Sequence, residues 1–411
     1  MTMKRAALLL LTLPLFATGR ASAGPDNYVE IARGKALVAA GDCVACHTAN
    51  GGAPFAGGLA LQTPFGAITT PNLTPDATTG IGSWSADDFA RAMHEGRRPD
   101  GGYLYPAFPY TYYTKVTRAD LDAIYAYLRT LPPVTNQVNR NTLPFPFNIR
   151  LSMLGWNALF FTPGTFAPDP NRSGQFNRGA YLVEGLGHCG ACHTPFNAFG
   201  AAKTAKYLQG NQIDNWTAPN ITNDDHAGLG KWSVDDIVQY LKTGQTATSL
   251  ASGPMKDVIE NSTSKMADAD LKAIAVYLKE RGAAGSAAPA PLPASDARMV
   301  AGQAIYTDTC SACHTADGGG IAHIFPKLAG SVIATQDDPS SLIHIIIAGG
   351  RAAATDARPT APAMPSLGFR LNDDQVAAVV TYVRNAWGNA AAPVTADTVK
   401  QLRERVTAAG E

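Results

Sequence analysis

All six cysteines of this 411-residue chain fall in three copies of one arrangement. They read Cys43-Val44-Ala45-Cys46-His47, Cys189-Gly190-Ala191-Cys192-His193 and Cys310-Ser311-Ala312-Cys313-His314. C-x-x-C-H is the attachment sequence of c-type haem. Two thiols add to the two vinyl groups on one edge of the porphyrin, and the histidine that follows reaches the iron from the same side. Cys43, Cys46, Cys189, Cys192, Cys310 and Cys313 are therefore expected to carry three covalently bound haems c. His47, His193 and His314 are the expected proximal ligands. A redox disulfide would not need the histidine, and a zinc site would need further ligands when no cysteine is left over.

A low-spin electron-transfer haem takes a sixth ligand from the protein, and methionine raises its potential relative to a second histidine. Met364, in Pro362-Ala363-Met364-Pro365, is the expected ligand of the third haem. Met255, after Ser252-Gly253-Pro254, is expected for the second, with Met266 as rival. The first copy breaks the pattern. Its loop reads Tyr105-Pro106-Ala107-Phe108-Pro109, with Phe108 where methionine would sit. Met93 and His94 lie earlier; Met93 reads as core and His94 as an exposed helix residue, though either could swing in as the sixth ligand of the first haem, with a five-coordinate iron as the other alternative. His188, directly before Cys189, reads as a contact near the haem and not as a ligand.

These groups need elements to hold them, and the chain repeats the elements. Pro71-Asn72-Leu73-Thr74 to Asp88 recurs without a gap as Pro219-Asn220-Ile221-Thr222 to Asp236, 148 positions on, while the first two haem motifs stand 146 apart. Whole domains are thus repeated. A short helix precedes each motif, carrying Gly34, Gly179 or Gly302. A periodic helix closes each domain, carrying Tyr127, Tyr277 or Tyr382. The two are expected to cross with the glycine at the contact. Ser85 and Ser233 read as N-caps of further helices over 86–94 and 234–242. Trp84 and Trp232 fit a haem edge and ordinary core equally. The fold expected is mainly α: three tandem class I cytochrome c domains with long loops and linkers. The boundaries are 24–134, 173–282 and 296–392, with a connector at 135–172, an Ala/Pro linker at 283–295 and a helical tail at 393–411.

Hydrophobic residues make up 45% of the chain and charged residues 16%, as in a core-forming protein. Lys+Arg and Asp+Glu are both 33, so no basic surface argues for nucleic acid. Lys4 and Arg5, the apolar run 6–17 and Ala21-Ser22-Ala23 read as a cleaved signal peptide over 1–23, which implies a periplasmic protein. The most apolar later stretch, Leu342 to Ala348, is far too short to span a bilayer. Val399, Leu402 and Val406 form a weak amphipathic stripe in the tail, either packed on protein or in peripheral contact with a membrane.

The sequence resembles the three-haem cytochrome c subunits of bacterial membrane-bound gluconate, fructose, sorbitol and alcohol dehydrogenases. The haem motifs carry the resemblance, together with Leu104-Tyr105-Pro106-Ala107, Arg178-Gly179-Ala180-Tyr181-Leu182-Val183-Glu184-Gly185, Gly187-His188-Cys189 and Arg384-Asn385-Ala386-Trp387-Gly388-Asn389. Members often have methionine at the position of Phe108, where this chain departs. The resemblance implies an electron-transfer subunit with no catalysis of its own. It would take electrons from a dehydrogenase subunit with FAD or another cofactor, alongside a small third subunit, and pass them to ubiquinone or to another cytochrome or oxidase. It also implies attachment to the outer face of the inner membrane. A molybdenum-containing aldehyde or heterocycle oxidoreductase is the alternative partner, and a haem enzyme using an open first haem is the alternative of a different class.

Overall fold

Three pairs of crossed helices organise the chain. They are seen in a computed structural model that describes residues 28–139, 142–282, 285 and 288–409. The signal-peptide segment and part of the 283–295 linker lie outside the described residues. Tyr28–Ala40 crosses Arg118–Leu128, Gly174–Tyr181 crosses Asp268–Glu280, and Ala297–Thr309 crosses Asp373–Val383. Each crossing is closed on a glycine. A Cβ on Gly34 would sit 1.9 Å from the Ala123 carbonyl oxygen and 2.8 Å from Tyr127 Cβ. On Gly179 it would sit 2.0 Å from the Ala273 oxygen and 2.7 Å from Tyr277 Cβ, and on Gly302 2.2 Å from the Ala378 oxygen and 2.6 Å from Tyr382 Cβ. No side chain fits there, which is why the glycine recurs.

Local chemistry sets the other helix ends. Ser85 and Ser233 accept from the Asp88 and Asp236 amides, and those carboxylates accept from the serine amides in return; these capping boxes start helices Ala86–Glu95 and Val234–Thr243. The matching helix of the third module is Ser340–Ala348, buried along most of its length. That burial accounts for the apolar run at Leu342. Three small antiparallel hairpins complete the modules: Ala60–Leu61 with Ile68–Thr69, Gln209–Ile213 with Trp216–Asn220, and Gly350–Arg351 with Ala363–Met364.

The first two modules share one apolar core, in which Leu37, Val116 and Leu121 pack with Tyr181, Leu186 and Leu271. The third has its own core, centred on Ile343, Val376 and Val380. The tail helix Ala396–Ala409 belongs to that core, with Val399, Leu402 and Val406 at most 1% exposed. Its apolar stripe faces helices Ser340–Ala348 and Asp373–Val383, so membrane contact through the tail is corrected: no apolar face of it is left for lipid. Among the described residues, no helix is long and apolar enough to cross a membrane.

Candidate haem-binding sites

Each C-x-x-C-H motif makes one short helical turn after the first helix of its module, with a further turn, Leu182–Leu186, between the two in the second module. The outer cysteines Cys46, Cys192 and Cys313 are exposed, while Cys43, Cys189 and Cys310 are half-buried and face the cores. None of the six forms a disulfide. Burial, reinforced by the Asp42 carboxylate, pushes the half-buried Cys43 thiol up to about 12. Burial together with Cys192 raises Cys189 to about 12, and burial with Cys313 raises Cys310 to about 11. Among the described residues no three His, Cys, Asp or Glu side chains gather into a metal cage.

The histidines are held alike in all three modules. His47 Nδ1–H donates to the Pro71 carbonyl at 2.8 Å, His193 to Pro219 at 2.7 Å and His314 to Pro326 at 3.0 Å. A carbonyl can only accept, so Nδ1 carries the proton and Nε2 keeps its lone pair for a metal. Burial lowers the pKa of all three imidazoles, partly offset by that hydrogen bond, and favours the neutral, ligating form. The repeated Pro-Asn-x-Thr segment thereby acquires a role. Its proline carbonyl orients the histidine, and Asn72 or Asn220 Oδ1 accepts from the amide and hydroxyl of Thr74 or Thr222 to fix the turn.

A further device escaped sequence reasoning. Threonine follows the histidine in every copy, and its hydroxyl accepts an amide of the loop that folds back over the site. Thr48 accepts from Phe55, Thr194 from Leu208, and Thr315 from Gly319 and Gly320. The signal was in the sequence, since all three copies read C-x-x-C-H-T.

The other candidates separate clearly. Met364 lies on the strand Ala363–Met364 and packs on the core that also takes Cys310. Met255, on helix Pro254–Asn261, packs with Tyr240, Ala251, Ile259 and Ala353 in a small cluster between the second and third modules, not in the core that holds Cys189. Its rival Met266 is buried against the first helix beside Leu37 and Ala40. Phe108 packs on the shared core with its ring 5.3 Å from Tyr113. Met93 is buried in that core. His94 is half-buried, not exposed as expected: its Nε2–H donates to the Val116 carbonyl at 2.7 Å, because helix Ala86–Glu95 packs against the loop before the closing helix. Its ring is therefore tied to backbone. His188 is half-buried, donating from Nδ1 to the Leu186 carbonyl and meeting Tyr113 edge-on at 5.5 Å. Trp84 and Trp232 are half-buried against the shared core, Trp232 edge-on to Tyr240.

Paired free thiols on one turn and an imidazole with Nε2 available fit covalently held haem at each motif. Beside the second motif, the buried hydroxyls of Tyr112 and Tyr207 have no protein partner and crowd Gly190, where a porphyrin carboxylate could accept from them. Fold and site together define a c-type cytochrome. The cytochrome c family model matches residues 31–132 and 299–387. The chain is 42% identical to the cytochrome c subunit of gluconate 2-dehydrogenase from Pantoea cypripedii, over 98% of this chain and 95% of that one. It is 37% identical to the cytochrome c subunit of alcohol dehydrogenase (quinone) from Gluconobacter oxydans, over 98% and 88%. It is also 41% identical to a nicotinate dehydrogenase subunit from Pseudomonas putida, over 88% of this chain but 31% of that one. The chain belongs to the family of cytochrome c subunits of bacterial gluconate, alcohol and fructose dehydrogenases. It is an electron-transfer subunit of a dehydrogenase complex, not the catalytic one.

Proposed function

We propose that this chain carries three haems c and relays electrons in the periplasm, at the outer face of the inner membrane. The donor is a dehydrogenase subunit, a flavoprotein that oxidises a sugar, polyol or alcohol. The acceptor is ubiquinone or another respiratory carrier. Haem, when bound, supplies a one-electron iron couple. The protein's part is to hold it. Cys43 and Cys46, Cys189 and Cys192, and Cys310 and Cys313 are the attachment thiols. His47, His193 and His314 would ligate through Nε2, and Met255 and Met364 would supply the further ligands of the second and third haems, Met255 from the small cluster beside the second module. Phe108 offers no ligand to the first. The observation that carries the reading is the threefold recurrence of one device: a thiol pair, a histidine with its Nδ1–H fixed on a proline carbonyl, and a threonine that pins the covering loop.

Likeness to a nicotinate dehydrogenase subunit supports a second reading of the partner, a molybdenum-containing oxidoreductase acting on an aldehyde or heterocycle. Purifying the complex from native membranes through a tag on this chain, then quantifying flavin, molybdenum and haem, separates the two. One flavin per three haems without molybdenum is expected. Molybdenum would move the partner to the second reading, and this chain running alone would overturn the subunit role.

A further inference from the structure

Eight of the fourteen exposed large apolar side chains among the described residues gather in one region. Six lie on the connector (Phe145, Phe147, Ile149, Leu151, Leu154 and Leu159), and Phe196 and Phe199 lie on a loop of the second module. The structure ties these segments into one surface. Phe160 stacks on Phe199 at 5.8 Å, and Trp156 Nε1–H donates to the Phe199 carbonyl at 2.9 Å. Phe147 lies 5.1 Å from Phe65 of the first module, and Phe65 in turn crowds Gly200. Phe145 is 78% exposed, Leu159 76% and Phe199 66%. Together the eight present on the order of 1,000 Å² of apolar side chain, against ~300–600 Å² for the largest patch of an ordinary monomer.

The connector helix Ser152–Phe160 has no buried residue and is apolar on every side. Such a helix is normally enclosed by protein or lipid. Charge decides between the two. From residue 151 to 168 the chain has no Asp, Glu, Lys or Arg. The polar groups of the helix have partners within this chain: Asn157 accepts from the Tyr110 hydroxyl at 2.6 Å, Ser152 donates to the Ile149 carbonyl, and the Trp156 N–H donates to the Phe199 carbonyl. A protein partner would be met by a polar rim and about one hydrogen bond per 100–200 Å². This face offers hydrocarbon and aromatic rings and no charged side chain; Arg150 beside it donates to the Tyr103 carbonyl and lies over the Tyr105 ring. Those are the properties that suit the acyl and headgroup boundary of a bilayer.

We propose that the connector helix and the Phe196–Phe199 loop form the surface by which this chain lies on a lipid bilayer, without crossing it. This deepens the membrane-side location in the proposed function and rests on it. The experiment is density-gradient flotation of the full mature chain, haem-loaded and free of its partner, with neutral phosphatidylcholine vesicles. The wild type should float. The Leu154→Glu/Leu159→Glu/Phe199→Glu variant should float at least ten-fold less, with its haem spectrum and thermal transition unchanged. A Leu154→Ser/Leu159→Ser/Phe199→Ser variant, which adds no charge, should show an intermediate loss. A wild type that stays at the bottom, or glutamate variants that float equally, would overturn the proposal. If the variant instead loses its catalytic subunit in a tag pull-down while the wild type fails to float, the patch belongs to a protein. A redox titration of the same samples keeps the readings apart: haems that reduce and reoxidise in a chain that does not float leave electron transfer standing and remove only the attachment surface.

Discussion

The first and second modules are joined differently from the second and third. Between the first two the apolar core is continuous, and the polar contacts across it are buried or half-buried. The Tyr181 hydroxyl donates to Asp120 Oδ2 at 2.5 Å, and Lys115 pairs with Glu184, which also accepts from Tyr277. Between the second and third modules the main cores are separate, and hydrogen bonds, one ring stack and the small cluster of Ala251, Ile259 and Ala353 span the gap. Thr217 meets Asp338 and Ser341, Gln336 donates to Ala227 and accepts from the Asn220 amide, and His344 stacks on Trp216 at 3.9 Å. A fused core fixes the first two attachment motifs against one another as one cooperative body. A polar seam positions the third while leaving it thermodynamically separable.

The helix crossings should break this contrast most severely. Gly179→Ala puts a methyl group into the Ala273 carbonyl and should cost about 3 kcal/mol or more. Calorimetry should show the first and second modules melting together at lower temperature, with the third transition unmoved. Gly302→Ala should do the reverse. If Gly179→Ala lowered only part of the first transition, the shared core would not be cooperative.

Asp120→Ala strands the Tyr181 hydroxyl in the fused interface and removes the acceptor that faces Arg33. A loss of about 2 kcal/mol is expected, again confined to the larger transition. His344→Ala empties the stack on Trp216 and should cost about 1–2 kcal/mol at the seam. It should speed proteolytic cleavage within the 283–295 linker and leave both transitions in place; unchanged cleavage would show that the seam does not depend on this pair.

The smallest effect concerns acid. Hydrogen bonds from the Thr79 amide, then from the Thr79, Thr78 and Thr135 hydroxyls, hold the Asp76 carboxyl well below its ordinary value of 3.8. A lowered folded-state pKa means its stabilisation is complete above the ordinary value and fades as pH falls through the folded one. The Tm difference between wild type and Asp76→Asn should therefore be present at neutral pH and shrink below about pH 4. A difference that grew in acid would contradict this.

How much of this could be read from the sequence follows from how local each feature is. The attachment motifs, the Ser85 and Ser233 caps and the three glycine crossings are written within a few residues or in repeated spacing, and were legible. The proline carbonyls that orient the histidines were not, because a backbone oxygen 12 to 26 residues away has no side-chain signature. The fused core and the His344–Trp216 seam come from pairing across modules that no periodicity encodes. The connector helix Ser152–Phe160 was hidden because it lacks the amphipathic alternation by which helices are recognised. The tail showed that alternation, but the stripe alone did not say what it packs against; Val399, Leu402 and Val406 found their own third module.

The central claim is one covalently held haem in each of three similar sites. Intact-mass measurement of the mature chain under denaturing conditions tests it most directly, because thioether-linked haem survives unfolding whereas non-covalent haem does not. The account predicts a chain carrying three haem masses, and Cys43→Ser/Cys46→Ser, Cys189→Ser/Cys192→Ser and Cys310→Ser/Cys313→Ser variants that each lose one. Two haems or fewer on the wild-type chain, or a mass showing only paired cysteines at any motif, would contradict it.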